Sequence, residues 1–271
     1  MLAQELINPF HHITPRGFIG FGATAILTTV RRMVDNRRSS CGERASTGRS
    51  LGGRVFERQE YVGGTWNYTD HVEQDPLSVD PTRPIVYSSV YGSLRTNLPR
   101  ECMGFTDFPF LIRPGKSRDP RRFPSHGEVL AYLQDFAKEF SIEEMIRFET
   151  AVERVSPAEV SDVDGTIGKW RIELTEKEEK VHREELYDAV VVCNGHYIEP
   201  SLANIPDCFM DKFWPEKEMH SHNYRIPEPF KDQVVVIIGS SSSAVDISRD
   251  DAGVAKEVHV ASWSNASLPY F

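Results

Sequence analysis

The sequence predicts an α/β fold, and three segments carry that expectation. Val55-Phe56-Glu57 is a short apolar strand ending in an acid, followed closely by Gly63-Gly64-Thr65-Trp66. Gln233 to Asp246 reads as a strand, a small-residue turn and a helix. Asp188 leads into Ala189-Val190-Val191-Val192-Cys193, a continuous apolar run of the kind buried on both faces of a parallel sheet. Strand, turn and helix in that order build Rossmann-like dinucleotide-binding units.

Residues 1–53 stand apart from this plan. Arg31 to Arg54 holds seven arginines, four serines and four glycines with no periodic apolar face, the composition of loop or disorder. Phe18 to Val30 is apolar, but its 13 residues fall short of the roughly 20 that span a bilayer. No cleavable secretion signal is legible there either.

From Val55 onward the local signals agree. The acid at a strand tip, here Glu57, is where such units accept hydrogen bonds from an adenosine ribose; by itself it also reads as a surface acid. Gly63 and Gly64 remove two Cβ atoms and let the backbone approach a large ligand. The glycine fingerprint that opens these units belongs about 20 residues upstream of the acid. That window reads Asp35-Asn36-Arg37-Arg38-Ser39-Ser40-Cys41, which is no phosphate cradle. Gly20-x-Gly22-x-x-Ala25 has the right form, but its glycines lie 37 and 35 residues before Glu57.

Tyr87 to Phe110 is an aromatic-rich loop by pattern, with Asn97 before Leu98-Pro99 as a turn residue. Ser125 to Phe140 predicts a helix: Val129, Tyr132, Leu133, Phe136, Ala137 and Phe140 recur at three and four residues, with Ser125 as N-cap. Phe148 to Val155, Lys169 to Thr175 and Val181 to Leu186 predict strands of a half-exposed meander, with a charged turn over Glu176 to Lys180. In the second unit Gly239 makes the tight turn, Ser241 is small enough for close pyrophosphate approach, and Ala244 lets the helix pack on the strand. Ser240, Ser242 and Ser243 complete this candidate nucleotide turn, whose helix N-terminus is a natural anion site. The alternative is an ordinary strand-to-helix turn. Glu257 to Ala261 is the next strand.

Composition narrows the function. A net charge of −9 argues against nonspecific nucleic-acid binding. Cys41, Cys102, Cys193 and Cys208 are scattered and form no C-x-x-C pair, which favours reduced thiols in the cytoplasm. The nine histidines include His11-His12 and His220-x-His222, without other ligands at metal spacing, so no metal site is expected.

Together these blocks resemble the class B flavin-containing monooxygenases. The match comprises Val55-Phe56-Glu57-Arg58 with Val62-Gly63-Gly64-Thr65-Trp66, then Ser93-Leu94-x-Thr96-Asn97-x-Pro99-Arg100-Glu101-x-Met103-x-Phe105-x-Asp107-Phe108-Pro109-Phe110. Cys193-Asn194-Gly195-His196 and His220-Ser221-His222-Asn223-Tyr224-Arg225-Ile226-Pro227 look most like the plant S-oxygenating branch, and the resemblance runs from about residue 54 to 267. It implies an FAD-binding domain over 54–230 and the start of an inserted, incomplete NADPH-binding domain over 231–271. The implied activity is oxidation of a thioether sulfur, such as that of a methylthioalkyl glucosinolate, to a sulfoxide. In that chemistry NADPH reduces FAD and O₂ forms a flavin C4a-hydroperoxide. N-oxygenating and Baeyer–Villiger chemistry, or a non-catalytic remnant, are the alternatives. By the same resemblance Glu57 holds the FAD ribose, Arg58 beside it is a further cofactor-binding residue, and Gly63, Gly64, Thr65 and Trp66 line the flavin. Asn97 stands beside flavin and nicotinamide as the catalytic residue, and Gly239 to Ala244 hold NADP.

Several positions depart from the family pattern. Glu216 replaces the glycine of Trp214-x-Glu216-x-x-x-His220-x-x-x-Tyr224, and Trp263 stands where an arginine meets the NADPH 2′-phosphate. Asp251, four residues after Ile247, falls on the face that should pack against the sheet, where an unpaired carboxylate is costly. Residues 37–53 are expected to be an out-of-frame reading of the missing strand and glycine turn; the encoding DNA read in its other two frames tests this. The early stop at Phe271 is expected to leave strand edges and apolar faces uncovered.

Overall fold

The computed structural model describes residues 53–262, except 79, 81–82, 84, 113–114, 116–118, 161–166, 177–181, 196–198 and 203–216. Gly20 to Ala25, residues 37–53 up to Gly52, His196, Trp214, Glu216 and Trp263 lie outside the described residues. The chain divides into two compact units, one formed by residues up to Gly64 with Leu133–Gly195, the other by Thr65–Tyr132 with His196–Phe271. The described residues combine parallel strand pairs, helices and an antiparallel meander, a mixed α/β content.

In the first unit β1 (Val55–Phe56) runs parallel to β2 (Ile146–Arg147), with Val55 opposite Ile146. β3 (Thr150–Val160), β4 (Ile167–Glu176) and β5 (His182–Tyr187) form the antiparallel meander that the alternation predicts. Ile172 and Leu174 project from one face of β4 and bury completely with Phe56, flanked by Val152, Val155, Trp170 and Tyr187. Arg171 and Glu173 take the other face, facing Glu184 and Arg154 across the ladders. The period of two thus separates core from solvent.

The helix spans His126–Glu139 and is labelled α2, after the one-turn α1 (Arg100–Met103). Val129, Tyr132, Leu133, Phe136 and Ala137 are all buried, as their spacing requires. In the second unit β6 (Val234–Ile238) leads through the small-residue turn into α3 (Ser242–Asp251) and back to β7 (Glu257–Ala261), which pairs parallel to β6. Tyr91, Tyr224 and Ile247 form its buried cluster, with Ile237, Leu94 and Phe230 against them.

Two expectations need correction. Asp188 to Cys193 forms no strand, and Val192 is 60 % exposed. Its β-branched residues favour extension, but a strand exists only with a ladder partner, and none pairs with it among the described residues. Asp251 does occupy the inner face of α3, but it is not unpaired, because Oδ1 accepts the Tyr224 hydroxyl at 3.1 Å. Only Oδ2 has no partner.

Candidate functional site

Glu57 sits where β1 ends. Its N–H donates to the Arg147 carbonyl and its carbonyl accepts from Thr150, both at 3.0 Å, so the strand end is pinned between β2 and β3. Its Oε1 accepts the Gln59 N–H at 2.9 Å. Burial raises the carboxyl above its ordinary value, against the opposing pull of the Gln59 and Arg58 N–H groups. Arg58 is exposed beside it.

The chain then turns at Gly63 and Gly64, with φ of 146° and 53°. Both angles lie in the region that L side chains rarely adopt, so the backbone conformation calls for glycine at both positions. A 3-10 turn over Gly64–Trp66 follows, which leaves Thr65 exposed. Gly63→Ala is expected to destabilise the folded chain by about 1–3 kcal/mol. A shift in urea midpoint at unchanged slope would show it, and an unaltered midpoint would refute the conformational requirement.

In the second unit Ser88 reaches Thr65: its hydroxyl donates to the Thr65 carbonyl, and the two Oγ atoms are 3.4 Å apart. Asn97 lies on an exposed bend held from both sides. Thr96 N–H donates to the Pro124 carbonyl at 3.0 Å, and Thr96 Oγ1 donates to Leu98 O at 2.7 Å. Arg95 bridges antiparallel to Ser125 just before the bend. Pro99 is the N-cap of α1, so the exposed Asn97 stands on a corner held by the backbone on both sides.

Beneath this corner are three residues to which sequence reasoning gave no role. Arg100 is 3 % exposed, with its guanidinium donating to the carbonyls of Asp119 and Arg121 and facing Glu128 Oε1 at 3.4 Å. Asp119 accepts from Arg95 at 2.7 Å, Arg121 at 2.9 Å and the Ser125 N–H at 3.0 Å. Burial alone would raise its carboxyl, but the Arg121 and Arg95 bonds outweigh it and hold Asp119 well below the usual carboxylate range. No periodicity in the sequence joins Arg100, Asp119 and Glu128, so their contact was not legible there.

At the second candidate turn Gly239 has φ of 125°, and its N–H donates to Ala261 O at 2.8 Å. A Cβ there would meet nothing within 4 Å, so the backbone angle is what calls for glycine. Ser241 is the N-cap of α3 but makes no side-chain cap bond, which leaves the first-turn N–H groups for an anion. Ser242 and Ser243 are exposed beside it, Ala244 is buried under the turn, and Ser240 Oγ accepts from Ser262 Oγ at 2.8 Å. Of the His220-x-x-x-Tyr224 motif, His220 Nδ1 accepts the His222 N–H at 3.0 Å and caps a 3-10 turn over Ser221–Asn223. Tyr224 is buried against α3 through Asp251.

The model of the flavin-binding monooxygenase-like family matches residues 42–267. Flavin-containing monooxygenase FMO GS-OX-like 4 of Arabidopsis thaliana is 73 % identical over 218 residues, covering 80 % of this chain and 47 % of that protein. FMO GS-OX5 of the same plant is 58 % identical over 218 residues, covering 80 % and 45 %. The chain therefore spans about half the length of the curated relatives it matches. The solved S-allyl-L-cysteine S-oxygenase from Allium sativum superposes with a TM-score of 0.77 at 48 % identity, covering 94 % of this chain and 53 % of that one. Tmm from a Pelagibacter species gives 0.72 at 26 %, covering 94 % and 53 %. Motif order, turn conformations and these likenesses agree, and the chain belongs to the flavin-binding monooxygenase family.

Proposed function

We propose that this chain is the FAD-binding part, over 54–230, and the start of the NADPH-binding part, over 231–271, of a plant-type S-oxygenase. The observation that carries it is the Gly63–Gly64 turn in left-handed and glycine-only conformation directly behind the Glu57 strand tip. Such a turn brings backbone against a flat ligand, and the carboxylate accepts ribose hydroxyls. Thr65 and Trp66 would line the flavin, Asn97 would stand beside flavin and nicotinamide, and Arg58 would be a further cofactor contact beside Glu57. Gly239, Ser240, Ser241, Ser242, Ser243 and Ala244 cradle the NADP pyrophosphate at the uncapped start of α3. Held there, FAD reduced by NADPH would supply the electrophilic oxygen from O₂. The net reaction is thioether plus O₂, NADPH and a proton to sulfoxide, NADP⁺ and water. A soft thioether of the methylthioalkyl glucosinolate kind is the substrate we favour, and the S-oxygenase named for S-allyl-L-cysteine supports that class.

Incubating the full chain with FAD, removing free flavin and recording the visible spectrum tests this reading. Flavin bands near stoichiometry are expected, with Glu57→Ala weakening FAD by about ten- to a hundredfold through loss of a charged acceptor. NADPH oxidation coupled to sulfoxide formation would follow. A colourless wild-type protein after FAD treatment would sink the reading and leave a non-catalytic chain.

A further inference from the structure

A buried polar knot in the second unit is not used by the proposed chemistry. His222 and Glu73 are both buried, with Nε2 and Oε1 2.9 Å apart. The other ring nitrogen, Nδ1, is hydrogen-bonded with the Ser89 hydroxyl at 2.6 Å, so the ring is held at both nitrogens. Glu73 Oε2 faces Arg83 Nε at 2.8 Å as an ion pair without hydrogen-bond alignment. Asn223 accepts the Glu73 N–H at 3.2 Å, and its amide donates to the Asp75 and Pro76 carbonyls at 3.0 and 3.1 Å. His222 is therefore seated in a frame with little freedom.

We propose that His222 is a positioning residue for the Gly64–Trp66 turn, acting through Ser89 and Ser88. The proposal rests on reading Thr65 as a flavin-lining residue. Ser88 and Ser89 are neighbours whose side chains reach different partners, Thr65 and His222. Holding Ser89 on a buried ring fixes the backbone from which Ser88 reaches the Thr65 carbonyl. Ser88 Oγ also accepts the Val90 N–H at 3.3 Å, so its rotamer is set from the same side. Without the His222 anchor this stretch regains freedom, and the Thr65 carbonyl loses a donor that keeps the turn in place.

The test uses the full chain and the variants Ser89→Ala, Ser89→Thr and His222→Gln. Amide hydrogen exchange is followed at residues 63–67, with β6 and α3 as internal reference, and FAD affinity is titrated in parallel. Ser89→Ala and His222→Gln are expected to speed exchange at the turn about three- to tenfold while β6 and α3 stay unchanged. Ser89→Thr, which keeps the hydroxyl, is expected to restore it, and FAD affinity is expected to fall by a similar factor in Ser89→Ala. Unchanged turn exchange in both disruptive variants overturns the proposal, whatever FAD does. Equal acceleration everywhere, or no rescue by threonine, also overturns it. If turn exchange responds and wild type takes up no FAD, the positioning role stands and the flavin reading falls.

Discussion

Arg100→Leu is expected to cost the folded chain about 3–5 kcal/mol, the range for removing one member of a buried ion pair. The loss is large because Arg100 makes several contacts at once. Nε donates to Arg121 O at 3.1 Å, one terminal nitrogen donates to the Asp119 and Arg121 carbonyls, and the guanidinium lies 4.7 Å over the Phe110 ring. Leucine leaves those carbonyls without their donor and Glu128 with a buried charge facing an apolar side chain. Glu128 Oε2 also accepts the Asp119 N–H at 3.3 Å, so the damage should spread into the segment that holds Ser125 and the Asn97 corner. Urea melts of Arg100→Leu, Glu128→Leu and the double variant provide the measurement. The double variant should recover part of the Arg100→Leu loss, because the buried carboxylate that faced Arg100 is gone as well. A single variant within 1 kcal/mol of wild type would show that the knot at Arg100 does not hold this corner.

What the sequence made legible were the features set by local rules. The helix at His126–Glu139 and the meander β3–β5 follow from spacing alone, since 3.6 and 2.0 periodicity decide which side chains meet the core. Gly63, Gly64 and Gly239 were identifiable from their places after apolar strands, and their positive φ angles are what the structure adds. Long-range partners were not legible. Ser88 and Thr65 are 23 residues apart, and Glu73 and His222 are 149 apart, with no periodicity to join them. The Asp188–Cys193 run failed for the same reason: apolarity states a preference for burial, while strand formation depends on a partner chosen by topology.

Asp251→Asn is expected to stabilise the chain by about 1–2 kcal/mol at neutral pH, within the range of an unsatisfied buried polar group. Asp251 is 1 % exposed at the C-terminal end of α3, where the helix dipole already disfavours negative charge. Burial raises its carboxyl first, the Tyr224 hydroxyl opposes that, and the neighbouring Asp250 charge raises it further. Arg249 pairs with Asp246 on the same helix and Asp250 accepts the Ser93 hydroxyl, and among the described residues the bond made by the Asp251 side chain is to the neutral Tyr224 hydroxyl. A carboxyl whose folded value is raised binds its proton more tightly in the folded state. Its stabilising contribution is therefore fully present below the ordinary aspartate range near 3.8 and is lost as pH rises through the elevated folded value. The Asn variant should accordingly match wild type at low pH and gain on it as pH rises, reaching a plateau near neutrality. Tyr224→Phe should act in the opposite sense, because it removes the hydroxyl that stabilises the ionised form and steepens the fall of stability with pH. Thermal melts of the three proteins across pH 3.5 to 8 decide the matter. A stability difference between wild type and Asp251→Asn that stays flat over that range would mean that Asp251 ionises in the folded chain as readily as in the unfolded one.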